Sequence, residues 1–118
     1  KMGKFENLRV WKRSKDLAVN VYKLTCKSPF EKDYGLRDQL RRAAVSVPSN
    51  IAEGDESGTN RLSIRYLYIA KGSVAEMHTQ IIIAHEIGYF TDLDKSDLLD
   101  ECRAISAMLT NLIKIRRK

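Results

Sequence analysis

The spacing of apolar residues restricts the fold of this chain more than any other feature of its sequence. In its longest periodic segment, apolar or small side chains recur at alternating intervals of three and four residues, at Leu67, Ala70, Val74, Met77, Ile81, Ala84 and Gly88. These intervals place the side chains along one face of an α-helix, whose period is about 3.6 residues. A β-strand would instead alternate at every second residue. The segment is therefore predicted to be a helix of about 29 residues, or roughly 43 Å.

Three further segments show the same helical spacing. The first runs from about Leu8 to Lys27, and the second runs from about Leu36 to Glu53, with Gly54 predicted to cap its end. The fourth begins at Asp94, whose carboxylate is predicted to cap the first turn, and extends to the C-terminus. Pro48 removes a backbone donor inside the second segment, so a kink or a break is expected there. The continuous apolar register favours the kink.

Four helices and short connections predict an all-α protein. Connections of about six to eight residues favour antiparallel neighbours, so the predicted architecture is an antiparallel up-down-up-down four-helix bundle with its second helix kinked at Pro48. The chain has 118 residues, the size of one domain, and residues 1–118 are expected to form a single bundle. Two prolines and six glycines are too few for the many turns of an all-β protein.

The compartment is predicted from the apolar runs and the cysteines. No run approaches the roughly 18 apolar residues of a membrane span, and the first residues are charged where a secretory signal has an apolar core. A cytoplasmic location without membrane contact is expected. Cys26 and Cys102 lack the spacing of zinc or redox motifs, so both are expected to be free thiols.

Patterns typical of enzymes and metal sites are missing from the sequence. His78 and His85 do not have the spacing of a zinc protease helix, and no serine nucleophile motif or phosphate-binding loop is present. A helical-bundle ribonuclease would pair an arginine with a histidine a few residues later, whereas the nearest arginine before His78 is Arg65. We therefore predict no catalytic residues, no metal ligands and no cofactor, and the ribonuclease is a remote alternative.

The net charge of +6 is expected to be unevenly distributed. In an up-down-up-down bundle the start of the first helix and the end of the fourth lie at the same end, where Glu6 and Asp16 are the acidic residues expected. Six basic residues there are candidate nucleic-acid contacts: Arg9, Lys12, Arg13, Lys114, Arg116 and Arg117. The helix dipole accounts for cations at the end of the fourth helix but opposes those at the start of the first. Basic residues near Trp11 are typical of phosphate and base contacts, so RNA or DNA is a candidate partner; a solvated charged face is the alternative.

The second helix contains the string QLRRAAVSVPSNIAEG, which ends at Gly54. This string resembles the signature of the four helix bundle protein family. Members of that family include proteins encoded by intervening sequences in bacterial 23S rRNA genes, and the accessory variability protein of diversity-generating retroelements is a relative. The resemblance extends over nearly the whole chain and includes Phe5, Trp11, Tyr22 and the run AKGSVAE, which begins at Ala70.

The resemblance implies a homo-oligomer, typically a pentamer. For the retroelement relative it also implies binding to nucleic acid and to a reverse transcriptase. The present sequence lies nearer to the intervening-sequence branch, for which the resemblance implies no assigned activity.

The signature also predicts a polar network between the second and third helices. Arg42 is expected to pair with Glu53 or Glu76, and small residues beside it would allow a neighbouring helix to approach closely. The predicted network and motif residues are Arg41, Arg42, Ser46, Pro48, Asn50, Glu53, Gly54, Ser73 and Glu76. A structural network is favoured, and a ligand pocket is the alternative.

The third and fourth helices have more apolar residues than one bundle interior needs. The third has a second row at Leu62, Tyr66, Ile69 and Ser73, and the fourth has additional apolar residues at Leu99, Met108, Ile113 and Ile115. We expect copies of the chain to cover this surplus. The predicted function is thus a non-enzymatic, self-assembling scaffold that binds nucleic acid through its basic end, and the alternative is an oligomeric adaptor for another protein.

Overall fold

The computed structural model describes residues 4–118, and residues 1–3 of the charged N-terminal stretch lie outside the described residues. The described chain folds into four α-helices: α1 (Arg9–Thr25), α2 (Tyr34–Glu56), α3 (Asn60–Glu86) and α4 (Asp92–Arg117). Two short 3-10 turns, Phe5–Asn7 and Phe30–Lys32, precede α1 and α2. No strand occurs within residues 4–118, and the all-α prediction is confirmed.

The helices pack side by side into a bundle of 45 × 24 × 21 Å. α2 packs against α1 and α3, and α4 packs against α3 and α1. Each helix buries its apolar face in a common core, in which Leu40, Ile51, Leu67, Ile81 and Ile105 are almost fully buried. The four-helix bundle is therefore confirmed, while the antiparallel order of its helices stays a prediction.

α2 continues past both residues that the sequence marks as possible breaks. Pro48 lies inside the helix, so the chain is not broken there, and the kink stays a prediction. The prediction that Gly54 caps α2 is wrong: the helix extends to Glu56, and Gly58 adopts the left-handed conformation with φ +85°. Gly54 instead faces α3, where a Cβ atom would lie 3.1 Å from the carbonyl oxygen of Ser63. A glycine at this position allows the two helices to approach closely.

α4 begins earlier than predicted. Thr91, and not Asp94, is the N-cap, and its side-chain oxygen accepts a hydrogen bond of 3.0 Å from the Asp94 backbone N–H. The Asp94 carboxylate accepts one of 3.3 Å from the Thr91 backbone N–H, which completes a capping box. The three helix connections are residues 26–33, 57–59 and 87–91, so the last two are shorter than predicted.

The additional apolar residues of α4 are largely buried within the chain. Leu99 and Ile113 are buried, Met108 is half-buried, and Ile115 is exposed. α4 contacts both α1 and α3, and a helix with two neighbours buries a wider stripe than a helix with one. The expectation that α4 presents a broad apolar surface to other copies is therefore wrong for most of its length.

Two observations concern the predictions about membrane contact and about the cysteines. No helix within residues 4–118 is both long enough and apolar enough to cross a membrane. Cys26 and Cys102 are free thiols, the first exposed and the second buried.

Candidate functional site

Three residues of the predicted polar network meet between α2 and α3. The Ser73 hydroxyl donates a hydrogen bond of 2.8 Å to Ser46 Oγ. Asn50 Nδ2 donates to Ser46 Oγ at 3.0 Å and to the Ser46 carbonyl oxygen at 2.8 Å. Ser73 is buried and the other two are half-buried, so these polar groups are satisfied where two helices pack.

Arg42 does not form the predicted ion pair. Within residues 4–118 no carboxylate lies within 4.0 Å of its guanidinium group, and its side chain is exposed. Glu53 lies three turns further along the same helix, roughly 16 Å away, which is too far for contact. Glu76 lines the same polar groove between α2 and α3 as Arg42, together with Asp38 and Gln80. The two charged groups share this groove without touching.

Arg41 connects α2 to the end of α1. Its Nε donates a hydrogen bond of 2.8 Å to Thr25 Oγ1, and its guanidinium carbon lies 4.5 Å from the centre of the Tyr22 ring. One of its terminal nitrogens is 3.3 Å from Cys26 Sγ. Arg41 was predicted to be a motif residue, but its partners were not predicted. They come close to it only because α1 packs against α2.

An apolar groove lies between α1 and α2. It is lined by Lys15, Ala18, Val19, Tyr22, Lys23, Val45 and Pro48, and it has a volume of about 370 Å³. Val19, Tyr22 and Val45 are each between 42% and 46% exposed. We call this surface the α1–α2 groove. The sequence did not predict this surface, because its residues come from two helices.

The second apolar row of α3 is partly exposed. Leu62 and Ile69 are exposed as predicted, whereas Tyr66 is half-buried and Ser73 is buried. Ile83 near the end of α3 and Ile87, the residue directly after the helix, are exposed as well. Apolar side chains therefore remain on the surface along the length of this helix.

The start of α1 and the end of α4 both lie beside the end of α2. Lys4 and Leu8 line a groove that also includes Asp55. From α4, Arg116 Nη2 donates to Asp55 Oδ1 at 3.2 Å and Arg116 Nη1 donates to Ser63 Oγ at 3.0 Å. Asp55 of α2 therefore lies close to the predicted basic end in addition to the expected Glu6 and Asp16, and one of the six candidate cations, Arg116, is paired with it.

A second candidate of the basic end, Arg13, is also paired. Its Nε and Nη2 donate to the two carboxylate oxygens of Glu101 on α4, at 2.8 and 3.0 Å. Hydrogen bonding to Arg13, together with its charge, lowers the pKa of Glu101 despite partial burial, and the same hydrogen bond raises the pKa of Arg13. This guanidinium group is directed at a protein carboxylate.

The other four candidates have no carboxylate partner within 4.0 Å in the described part of the chain; they are Arg9, Lys12, Lys114 and Arg117. All four are exposed. Arg117 donates a hydrogen bond to the Tyr68 hydroxyl, and its guanidinium carbon lies 5.9 Å from the centre of that ring. No carboxylate of the described chain neutralises these four residues.

A second groove lies on the surface between α3 and α4. It has a volume of about 840 Å³, and its charged lining residues are the cations Lys71 and Arg103, with His78 beside them. Tyr68 lies at one end of this groove. No linear motif marks this surface, because its residues come from two helices and are separated along each of them.

The two histidines do not form part of a metal-binding cluster in the residues that the structure describes. His85 Nε2 lies 2.6 Å from Asp92 Oδ1, between the end of α3 and the start of α4. His78 lines the groove between α3 and α4.

The architecture defines a small four-helix bundle protein. A family model described as 23S rRNA-intervening sequence protein matches residues 6–111, and the chain belongs to that family. The family resemblance that the signature string indicates is therefore confirmed.

A solved structure supports the fold. It is a protein of unknown function from the S23 ribosomal protein family of Bacteroides thetaiotaomicron VPI-5482, with 22% sequence identity and a TM-score of 0.82. The alignment covers 89% of the present chain and 98% of that protein. At this identity the similarity is one of fold. No curated protein matches the chain.

Proposed function

We propose that this protein is a non-enzymatic cytoplasmic scaffold that assembles into a homo-oligomer, with a pentamer favoured, and binds RNA or DNA through its basic end. The observation that carries the proposal is the apolar surface left exposed by the folded chain. Val19, Tyr22 and Val45 on one side and Ile69 and Ile83 on another are each nearly half exposed. Grouped apolar side chains on a protein surface are typical of sites that bind another protein.

Self-assembly is favoured over binding to another protein because the family resemblance implies a homo-oligomer. Transfer of apolar area out of water contributes roughly 25 cal/mol per Å². An interface between copies would bury several half-exposed side chains on each partner at once. The pentameric state comes from the family resemblance, and the exposed surfaces support assembly without specifying the number of subunits.

Light scattering coupled to size-exclusion chromatography tests the assembly. One chain has a mass of 13.5 kDa, and a stable multiple of this value is expected, five-fold for the favoured pentamer. A protein that elutes with the mass of one chain across the accessible concentration range would contradict the proposal.

Nucleic-acid binding is supported by the four exposed cations that have no carboxylate partner, Arg9, Lys12, Lys114 and Arg117. Phosphate contacts release condensed counterions, so affinity should fall steeply as the salt concentration rises. In a cyclic oligomer the basic ends of several subunits would act on one strand, which raises the apparent affinity over that of a single end.

The binding experiment compares two double variants with the same change of charge. R9E/K12E alters the basic end, whereas K27E/K32E alters exposed lysines between α1 and α2. Only R9E/K12E should lose affinity for random single-stranded and duplex oligonucleotides, by more than about ten-fold, with a shallower dependence of binding on salt. Equal losses in both variants would indicate a nonspecific effect of net charge and contradict a site at the basic end. Arg13 is left unchanged because a glutamate there would face Glu101.

An oligomeric adaptor without a nucleic-acid role is the second candidate. It is favoured by the ion pairs of Arg13 with Glu101 and of Arg116 with Asp55, which neutralise two of the six candidate cations. Absence of oligonucleotide binding at low salt, with assembly intact, would select this function.

A further inference from the structure

We infer that a single strand of RNA or DNA lies along the groove between α3 and α4, with one of its bases stacked on Tyr68. We call this surface the α3–α4 groove. The inference rests on the proposed nucleic-acid binding, and it specifies the form of the nucleic acid and its path beyond the basic end.

Two rows of residues, one on each helix, border the α3–α4 groove. Residues at intervals of three and four share one face of a helix. The rows are Arg61, Arg65, Tyr68, Gly72, Ala75 and Thr79 on α3, and Arg103, Ala107, Thr110, Lys114 and Arg117 on α4. The part of each row from Tyr68 to Thr79 and from Arg103 to Thr110 lines the groove directly, and Lys71 lines it as well. The small residues in both rows leave room between the two helices.

The charged groups along the α3–α4 groove are mainly cations. The groove lining contains no carboxylate. The cations of the two rows, together with Lys71, are Arg61, Arg65, Lys71, Arg103, Lys114 and Arg117. Within residues 4–118, Arg103 is the one of these six that has a carboxylate within 4.0 Å; it is paired with Asp100 at 3.3 Å. Both side chains of that pair are more than 60% exposed, and such pairs contribute little, so a phosphate can replace the Asp100 carboxylate.

The α3–α4 groove is continuous with the basic end. Lys114 and Arg117 belong both to the basic end and to the α4 row. The distance from Arg103 to Arg117 along the helix is roughly 21 Å. Stacked nucleotides of one strand carry a charge about every 3.4 Å, so this length accommodates about six phosphates. A strand bound at the basic end can therefore continue along the groove and contact further cations.

The width of the α3–α4 groove favours one strand over a duplex. The axes of packed helices are about 8–10 Å apart, whereas the major groove of a DNA duplex alone is about 12 Å wide. Tyr68 is 46% exposed at one end of the groove, and Arg117 donates a hydrogen bond to its hydroxyl group. Aromatic side chains stack with the unpaired bases of single strands, and the bases of a duplex are already stacked on each other.

The α1–α2 side of the bundle also has exposed tyrosines, but it is less suited to a strand. Guanidinium groups lie over both rings, that of Arg41 at 4.5 Å from Tyr22 and that of Arg37 at 4.8 Å from Tyr34. Each of these groups is also held by a hydrogen bond to another part of the protein. Within residues 4–118, Arg117 lies 5.9 Å from its ring and is hydrogen-bonded only to the hydroxyl of that ring. The α1–α2 groove has two cations, and one of them is paired with a neighbouring aspartate at 2.7 Å.

Two double variants with the same change of charge test the path. R65E/K71E alters the α3 side of the groove and leaves the basic end intact, and K27E/K32E is the control outside both surfaces. R65E/K71E should lower the affinity for a mixed-sequence single strand by more than about ten-fold. The dependence of binding on salt should become shallower, since each lost phosphate contact reduces the slope by about 0.7. Equal losses in the two variants would overturn the inference. Light scattering verifies that both variants keep the mass of the wild type.

Tyr68→Leu tests the stacking. It should lower the affinity for the single strand by about ten-fold and leave the salt dependence unchanged, because no phosphate contact is removed. Tyr34→Leu is the matched control, because Tyr34 is 65% exposed and lies on α2 outside the groove. Circular dichroism verifies that both variants are folded. If Y68L binds the single strand as tightly as Y34L does, or if the wild type binds a duplex as tightly as a single strand, the inference is wrong.

The measurements separate this inference from the proposed function. If the wild type binds no oligonucleotide at low salt, nucleic-acid binding and the assigned path are both overturned. If R9E/K12E loses affinity and R65E/K71E binds like K27E/K32E, binding at the basic end stands and the path along the α3–α4 groove is wrong.

Discussion

Replacement of Gly54 by alanine tests the close contact between α2 and α3. Inside a helix alanine is ordinarily more stable than glycine by up to about 1 kcal/mol, because glycine loses more backbone entropy on folding. At Gly54 the added methyl group would lie 3.1 Å from the carbonyl oxygen of Ser63 and 3.2 Å from Cβ of Tyr66. Contacts between carbon atoms are optimal at roughly 3.5–4.0 Å. Since the Ser63 oxygen belongs to the backbone, relief requires the helices to move apart, and such overpacking costs roughly 1–3 kcal/mol.

The net expectation for Gly54→Ala is a loss of about 1 kcal/mol in the free energy of unfolding. Gly72→Ala in α3 is the matched control, because an added methyl there has no neighbour within 4 Å. It should stabilise the protein by about 0.5–1 kcal/mol. Urea denaturation at one fixed protein concentration measures both, since stability depends on concentration when subunits associate. A Gly54→Ala variant as stable as the wild type would refute the close approach of the two helices at this point.

Three further predictions concern thiol reactivity, capping and pH. Burial raises the pKa of Cys102 to about 12, so a disulfide reagent at pH 8 should label Cys26 in the folded protein and Cys102 only after unfolding; rapid labelling of both would be contrary to the structure. Thr91→Ala removes one side of the capping box of α4 and should lower the free energy of unfolding by about 1 kcal/mol, whereas an unchanged urea midpoint would show that the cap contributes nothing. The Arg13 hydrogen bond lowers the pKa of Glu101 in the folded state, so this pair stabilises the protein above the unfolded pKa of about 4.5, and its contribution is lost as the pH falls through the lower folded value. Glu101→Gln should therefore be less stable than the wild type at pH 7 by under about 1 kcal/mol, given the exposure of the pair, and the difference should vanish in acid; a difference that grows in acid would contradict this sign.

Helix positions were predictable because apolar periodicity is a local property of the sequence. Intervals of three and four located α1 to α4 within a few residues. Helix ends were less predictable. Gly54 illustrates the reason: a glycine near the end of a helix serves either as a cap or as a point of close contact, and the neighbouring α3 decides between them. Thr91 was missed as the cap of α4 because Asp94 carries the same local signal.

The candidate surfaces were predictable in part. The signature string singled out Ser46 and Asn50, which the structure joins to Ser73 by hydrogen bonds. It also predicted an ion pair for Arg42, but Arg42 is exposed and does not form one. A one-dimensional pattern shows which groups share a helix face, and it does not show how far the neighbouring helix lies from that face.

The sequence by itself determined the helical class, the number of helices and the family, since these depend on local periodicity and on one continuous string of residues. Only the tertiary structure decided which charges are paired and which apolar residues stay on the surface. Arg13 and Glu101 are separated by 88 positions, and their ion pair exists because α1 and α4 pack together. In the same way, the wide apolar stripe of α4 is largely buried because two helices flank it, while the α1–α2 groove remains open to solvent.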